Sequence, residues 1–265
     1  MVQTRVQTES TPVLEINGLT QCFGGLTAVN DFNVKLMPRE LTGLIGPNGA
    51  GKTTVFNLAS GFYQPTEGQI IVNGTLTAGL KPHKVTSLGI ARTFQNIRLW
   101  DDMTVLDNIR VAQHSRLDYG FFHSVLRSKH YIQREEEIPQ EANELLDVFD
   151  LQKFANEFPK NLPYGTQRKL EIARALSTHP QLLLLDEPAA GLNSADVKDL
   201  IRLIRWIYET FDISIWMIEH HMDVVMELCH QIKVIDFGET IAEGNPEEIR
   251  NHPAVITAYL GDDNI

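Results

Sequence analysis

Eight residues, Gly46-Pro-Asn-Gly-Ala-Gly-Lys-Thr53, constrain this chain more than any other stretch. They match G-x-x-x-x-G-K-[ST], follow the short apolar run Leu41–Ile45, and open a helical pattern over Thr53–Ser60 that stops near Gly61. In such a loop several backbone N–H groups turn inward on one phosphate, and side chains would block the approach; hence Gly46, Gly49 and Gly51. The helix that follows offers its N-terminal dipole and free N–H groups to the anion. Lys52 adds a charge that can reach the outer phosphates, and the Thr53 hydroxyl is a hard oxygen suited to Mg²⁺. A strand, a glycine loop and a helix in that order belong to a mostly parallel α/β sheet that binds a nucleotide.

A second element completes such a site. Leu182-Leu-Leu-Leu-Asp186-Glu187 ends a buried apolar strand in two carboxylates. Sites in parallel sheets open at the carboxyl ends of strands, the edge that also carries the phosphate loop. There Asp186 can orient Mg²⁺, directly or through water, and Glu187 can polarise an attacking water as general base. Lys52 and Asp186 lie 134 positions apart. Simple GTPases and nucleotide kinases set their acidic element closer, and no Asn-Lys-x-Asp guanine reader is present. So long a gap calls for an inserted domain.

The stretch from about 96 to 160 supplies one. Its character is helical, with candidate helices Thr104–Ala112 and Pro139–Phe149 flanking the charged run Arg134–Glu137, read as a solvated face. Either side of it, strand signals alternate with helices. Val13–Ile16 and Phe32–Leu36 suit half-buried edge strands, and Gln69–Val72 is closed by the turn pair Asn73-Gly74. Leu170–Thr178 and Val197–Phe211 read as helices, Ile213–Ile218 and Gln231–Ile235 as strands. The expected division is a polar tail over 1–11 and one domain over 12–265. Within that domain 12–95 and 161–240 form the ATP-binding core, 96–160 the helical subdomain and 241–265 a C-terminal extension.

Composition excludes several rivals. A net charge of -11 argues against non-specific nucleic-acid binding, which draws on a basic surface. The N-terminus lacks the apolar stretch of a secretory signal, and no run approaches the ~18 apolar residues of a membrane span. Cys22 and Cys229 lie far apart and fit no metal spacing, as expected of two reduced thiols in a cytoplasmic protein.

With these residues in place, the chain from about Val13 onward resembles the ABC ATPase family. The added piece is Leu162-Pro-Tyr-Gly-Thr-Gln167, followed by Arg-Lys-Leu-Glu-Ile-Ala-Arg174. It is similar to the signature L-S-G-G-Q and its helix, which in that family caps the γ-phosphate held by a partner subunit. Leu162, Pro163, Tyr164, Gly165, Thr166 and Gln167 would form that cap. Pro163, Tyr164 and Thr166 depart from the pattern, so capping would rest on backbone N–H groups and the helix dipole. A proline in the first helical turn removes no helix hydrogen bond.

The resemblance implies further roles. Gly46, Pro47, Asn48, Gly49, Ala50, Gly51, Lys52, Thr53 and Thr54 would hold ATP, with Phe23 stacked on adenine. Glu187, His220 and Gln95 would act in catalysis; Thr53, Gln95 and Asp186 would surround Mg²⁺. Gln95 matches the Q-loop glutamine that reports to membrane subunits, and Asn193 occupies the D-loop position. His220 matches the switch histidine, with His221 left open as a participant. The implied fold is a P-loop ABC ATPase with a mostly parallel sheet core, an N-terminal antiparallel β part and an inserted helical subdomain.

Several stretches resemble, more narrowly, the LivG-type ATPases of bacterial branched-chain amino-acid importers. They are Phe23–Val29, Gly89–Trp100, Met103–Asn108, Asp186–Asn193 and the tail Glu243–Gly261. That resemblance implies a peripheral motor on the cytoplasmic face of the inner membrane. Its partners would be permease subunits, a second ABC ATPase in a homo- or heterodimer and, indirectly, a periplasmic binding protein. The alternative is the ATPase of another ABC system, such as a lipid or lipopolysaccharide exporter or an importer of a different small solute.

Overall fold

Strand β3 (Leu41–Ile45) delivers the phosphate loop from the interior of a six-stranded sheet of order β10-β9-β3-β8-β7-β6. The computed structural model describes residues 11–114 and 129–261, with side chains over 11–113 and 139–259. The residues of the polar tail up to 10 and the side chains of Arg134–Glu137 lie outside that description.

In the large sheet β6 (Ile90–Arg92), β7 (Leu182–Asp186), β8 (Ser214–Ile218), β3 and β9 (Gln231–Asp236) run parallel, and β10 (Glu239–Gly244) pairs antiparallel with β9. Every residue of β3, β7 and β8 is buried, because both faces of the sheet are covered. Consecutive leucines therefore serve different cores. Leu182 and Leu184 pack with Phe56 and Trp216, whereas Leu183 and Leu185 face the cluster of Leu170, Ile204 and Val225. The first core is shared with a four-stranded antiparallel sheet of order β2-β1-β4-β5, made of β1 (Leu14–Phe23), β2 (Leu26–Leu36), β4 (Glu67–Val72) and β5 (Thr75–Leu76). It also takes in α1 (Lys52–Ala59), the helix after the phosphate loop.

The remaining helices are α2 (Pro82–Ser87), α3 (Val105–His114), α4 (Lys129–Val148), α5 (Tyr164–Leu176), α6 (Ser194–Thr210), α7 (Met222–Leu228), α8 (Pro246–Arg250) and α9 (Pro253–Gly261). Val105 and Ile109 of α3 and Ala142 and Leu146 of α4 join the second core directly. The helical segment thus packs as an extension of the sheet's own interior.

Several local expectations are corrected. β1 is an inner strand of its sheet, not an edge. Its buried positions run Leu14, Ile16, then Leu19 and Gln21, because a bulge at Asn17-Gly18 shifts the register and resets the alternation. The helix expected from Pro139 begins at Lys129 and passes through Pro139, which forfeits one backbone hydrogen bond inside the helix. The helix expected from Leu170 begins at Tyr164, so the glycine-containing motif forms its first turn. Pro163 stands just before that turn, as N-cap. β10 spans the expected boundary at 240/241.

Candidate functional site

Steric demand explains two of the three loop glycines, Gly46 and Gly51, beyond their tolerance of an approaching anion. A Cβ on Gly46 would collide with the Ile235 carbonyl oxygen of β9. Gly51, at φ +103, would set a Cβ 2.5 Å from the Ala28 carbonyl of β2. The loop is thus wedged between the two sheets, with Ala50 buried and Asn48 and Gly49 exposed. No side chain caps α1 and no acid sits in its first turn, which leaves its N-terminal N–H groups and dipole to an anion. Lys52 Nζ donates to the carbonyls of Gly46 (2.7 Å) and Pro47 (2.8 Å). Burial pulls the Lys52 pKa down, and the charges of Glu187 and Asp186 oppose that. Thr53 is exposed and Thr54 half-buried.

Asp186 closes β7 and pairs in register with Ile218 of β8, so the loops after the two strands emerge side by side. Glu187 follows at φ +47, an unfavourable backbone for a non-glycine residue that costs about 1–3 kcal/mol. Gln95 Nε2 donates to Glu187 Oε2 at 2.7 Å, and His220 Nδ1 lies 3.6 Å from the same oxygen. Of the adjacent histidines His220 faces Glu187, while His221 stands at the N-cap of α7 with its ring edge-on to His220. Beneath them Glu219 is fully buried. Its carboxylate accepts from the backbone N–H groups of Ala189 (2.7 Å), His220 (3.2 Å) and His221 (3.4 Å). Burial raises the Glu219 pKa against the pull of those N–H groups.

The Leu162–Gln167 motif runs into the start of α5. Thr166 and Gln167 N–H groups donate to the Pro163 carbonyl, and Gln167 Nε2 donates to the Leu162 carbonyl. No side chain caps α5. Tyr164 is partly exposed beside Gly191, and a Cβ on Gly165 would meet the Asp196 carboxylate at 3.4 Å. Asn193 is the N-cap of α6, accepting from the N–H groups of Ala195 and Asp196. Phe23 lies at the tip of the β1–β2 hairpin, 44% exposed, with its ring edge-on to Tyr63.

Sequence reasoning missed four charged side chains that organise this region: Arg92, Arg168, Glu171 and Glu219. Arg168 Nη1 bonds Glu171 (2.7 Å) and the Phe94 carbonyl (2.8 Å), and Nη2 bonds the Gln95 carbonyl (2.9 Å). Glu171 in turn accepts the Phe94 and Arg98 N–H groups, both at 3.3 Å. This pair, 1% exposed on each side, fastens the first turns of α5 to the Gln95 loop. One signal was available: Arg168 and Glu171 share a helix face at i, i+3, with Glu171 between Leu170 and Ile172.

Chemically, the strand ends bring together an anion cradle, a cation, and a carboxylate held by an amide and faced by an imidazole. Among the described residues no group of three or more His, Cys, Asp or Glu side chains could hold a metal. The oxygens of Thr53 and Asp186 are of the hard type that suits a divalent cation.

The family model for ABC transporters matches residues 29–190, and the model for branched-chain amino acid ATP-binding cassette transporters matches residues 239–264. The chain is 46% identical to the high-affinity branched-chain amino acid transport ATP-binding protein BraF of Pseudomonas aeruginosa, over 96% of this chain and 99% of that protein. It is equally similar, with the same coverage, to LivG of Escherichia coli. A probable LivG of Archaeoglobus fulgidus is 36% identical over 94% of this chain and 95% of its own length. Among solved structures, an ATP-binding cassette of an ABC transporter in its ADP conformation superposes with a TM-score of 0.81 at 27% identity, covering 95% of this chain and 100% of that one.

Proposed function

The chain belongs to the family of ABC transporter ATP-binding subunits, and we propose that it powers the import of branched-chain amino acids. The observation that carries the site assignment is the convergence of Gln95 and His220 on Glu187, beside the phosphate loop. Relatives named for branched-chain amino acid transport, matched along nearly their whole length, support the substrate class.

In this reading the loop from Gly46 to Thr54 binds the phosphates of ATP and Phe23 supports the adenine. Lys52 releases its carbonyl partners and turns to the outer phosphates. Thr53 and Asp186, with Gln95, would hold Mg²⁺. The fit rests on Asp186 Oδ1, which is buried and has no hydrogen-bond partner. Such an ion would supply positive charge to neutralise the outer phosphates. Glu187 takes a proton from the attacking water, Gln95 orients the carboxylate, and His220 reaches the γ-phosphate.

Two such subunits meet head to tail, with the 162–167 turn of each directed at the partner's ATP and Asn193 at the seam. ATP closes the pair, and hydrolysis with phosphate loss reopens it, because the γ-phosphate contacts exist only in the closed state. No helix among the described residues is long and apolar enough to cross a membrane. In this reading, which the likeness to import ATPases supports, the motor acts through permease subunits at the cytoplasmic face of the inner membrane, with a binding protein delivering the amino acid.

The test is deletion of the gene in its host, followed by uptake of labelled leucine, isoleucine and valine. Loss of uptake restored by the natural chain and not by Glu187→Gln supports the proposal. Undiminished uptake, with redundant carriers removed, overturns the substrate class and directs attention to other solutes or to lipid export.

A further inference from the structure

Arg92 ends β6, three residues before Gln95, and its guanidinium is buried with 5% of the side chain exposed. Nη2 donates to Asp186 Oδ2 at 2.7 Å. Nη1 donates to Asn57 Oδ1 (2.9 Å) and Ser60 Oγ (3.0 Å), both at the far end of α1. The group lies among aromatic rings, 4.9 Å from the centroid of Phe94 and 5.7 Å from that of Phe56. The Asp186 side chain is 3% exposed, and its other oxygen, Oδ1, is buried without a partner.

Two features of this arrangement point to more than packing. A buried ion pair is rarely the most stable filling for a core, since desolvation consumes most of the attraction. And the pairing is one-sided. Arginine commonly engages a carboxylate with both arms of its fork, whereas here a single nitrogen takes a single oxygen and the second arm reaches to α1. The carboxylate is held in one orientation through Oδ2 while Oδ1 stays without a partner. The same side chain ties α1, which carries Lys52 and Thr53, to the strand end that carries Asp186.

We propose that Arg92 is the positioning residue for the metal-binding acid. It clamps Asp186 through Oδ2 so that Oδ1 is presented to the divalent cation of the nucleotide. This rests on the reading of Asp186 as a metal-binding residue of an ATPase.

The test uses the full chain loaded with ADP and titrated with Mn²⁺, with free ion counted by electron paramagnetic resonance. ADP binding in EDTA is measured by calorimetry, and melting is followed in parallel. Arg92→Met is expected to weaken Mn²⁺ binding about 10- to 100-fold, in the range seen when a group that orients a metal ligand is removed. ADP affinity in EDTA should stay within about twofold. Arg92→Lys, which keeps the charge and one donor but lacks the fork, should recover part of the loss and carries the test should Arg92→Met fail to fold. The double variant Asn57→Ala/Ser60→Ala removes the other two side-chain hydrogen bonds of Arg92 and should leave Mn²⁺ affinity nearly unchanged. In an Asp186→Asn background, Arg92→Met should cost nothing further.

If Arg92→Met lowers the melting temperature but not Mn²⁺ affinity, Arg92 is only a brace and the proposal fails. Tighter Mn²⁺ binding would mean that Arg92 competes with the ion, and also overturns it. If Asp186→Asn itself leaves Mn²⁺ binding intact, the fault lies in the underlying reading of Asp186, a distinct and recognisable failure.

Discussion

Gln95 Nε2 donates a 2.7 Å hydrogen bond to Glu187 Oε2, joining side chains 92 residues apart in sequence. The contact sets the oxygen faced by His220, 3.6 Å away, and so fixes the orientation of the carboxylate that would receive a proton from water. The Gln95 backbone is in turn held by Arg168 of α5. The Glu187 carboxylate and the helix that carries the 162–167 turn are therefore linked through one residue.

Glu187→Gln should keep ATP binding while hydrolysis falls by about 10²- to 10⁴-fold, the usual contribution of a positioned general base. Phosphate release in single turnover, on the chain assembled with its partners, measures it. Unchanged turnover would remove Glu187 from that role.

Lys52→Ala should act on binding itself. Desolvation lowers the pKa of the buried ammonium, Glu187 and Asp186 oppose that only in part, and an anionic ligand would offset more of the cost of burying this charge. Calorimetry with ATP should show affinity lost while circular dichroism is unaltered; affinity equal to that of the natural chain contradicts the assignment.

Gly46→Ala and Gly49→Ala should differ although both lie in one loop. At Gly46 the new methyl group meets the Ile235 carbonyl, and a denaturation midpoint should report a loss of at least about 3 kcal/mol. At Gly49, with φ +79 and open space around it, the cost should be about 1–2 kcal/mol from backbone strain alone. Equal losses would disprove the wedging of the loop between the sheets.

Arg168→Met leaves Glu171 charged and buried, and should cost about 3–5 kcal/mol. Replacing Glu171 by Leu as well should cost less than the two single changes summed. Strict additivity in this double-mutant cycle would show that the pair does not act as a unit.

Cys229 is buried, and desolvation pushes its thiol well above the ordinary range. A group with a raised folded pKa contributes stability below its unfolded pKa and loses it only as pH climbs through the folded one. Across neutral pH the thiol therefore stays protonated and unreactive. Iodoacetamide at pH 8 should label Cys22, which is partly exposed, and reach Cys229 only on unfolding. Rapid native labelling of Cys229, seen by mass spectrometry, would contradict its burial.

Much of the architecture was legible wherever chemistry is contiguous in sequence. Leu41–Ile45 and Leu182–Leu185 are mostly apolar because both sheet faces are covered, and the carboxylates stand where such a strand ends. Legibility failed where a local rule was broken by a tertiary contact. The alternation of β1 breaks at its bulge, so its second half escaped notice. The helix through Pro139 survives because packing of Ala142, Leu146 and Phe149 outweighs one missing hydrogen bond.

The amino-acid sequence alone determined the phosphate loop, the acidic strand end, the family and the kind of chemistry, since each is written in consecutive residues with a period or a spacing. Tertiary structure decided which side chains serve that chemistry from a distance. Arg92 meets Asp186 only because β6 and β7 pair in parallel with Arg92 opposite Leu184, and Arg168 meets the Gln95 loop only because α5 packs beneath it. A buried charge has no local signature. Its partner is set by strand register and helix packing, and desolvation makes that partner indispensable once the fold has formed.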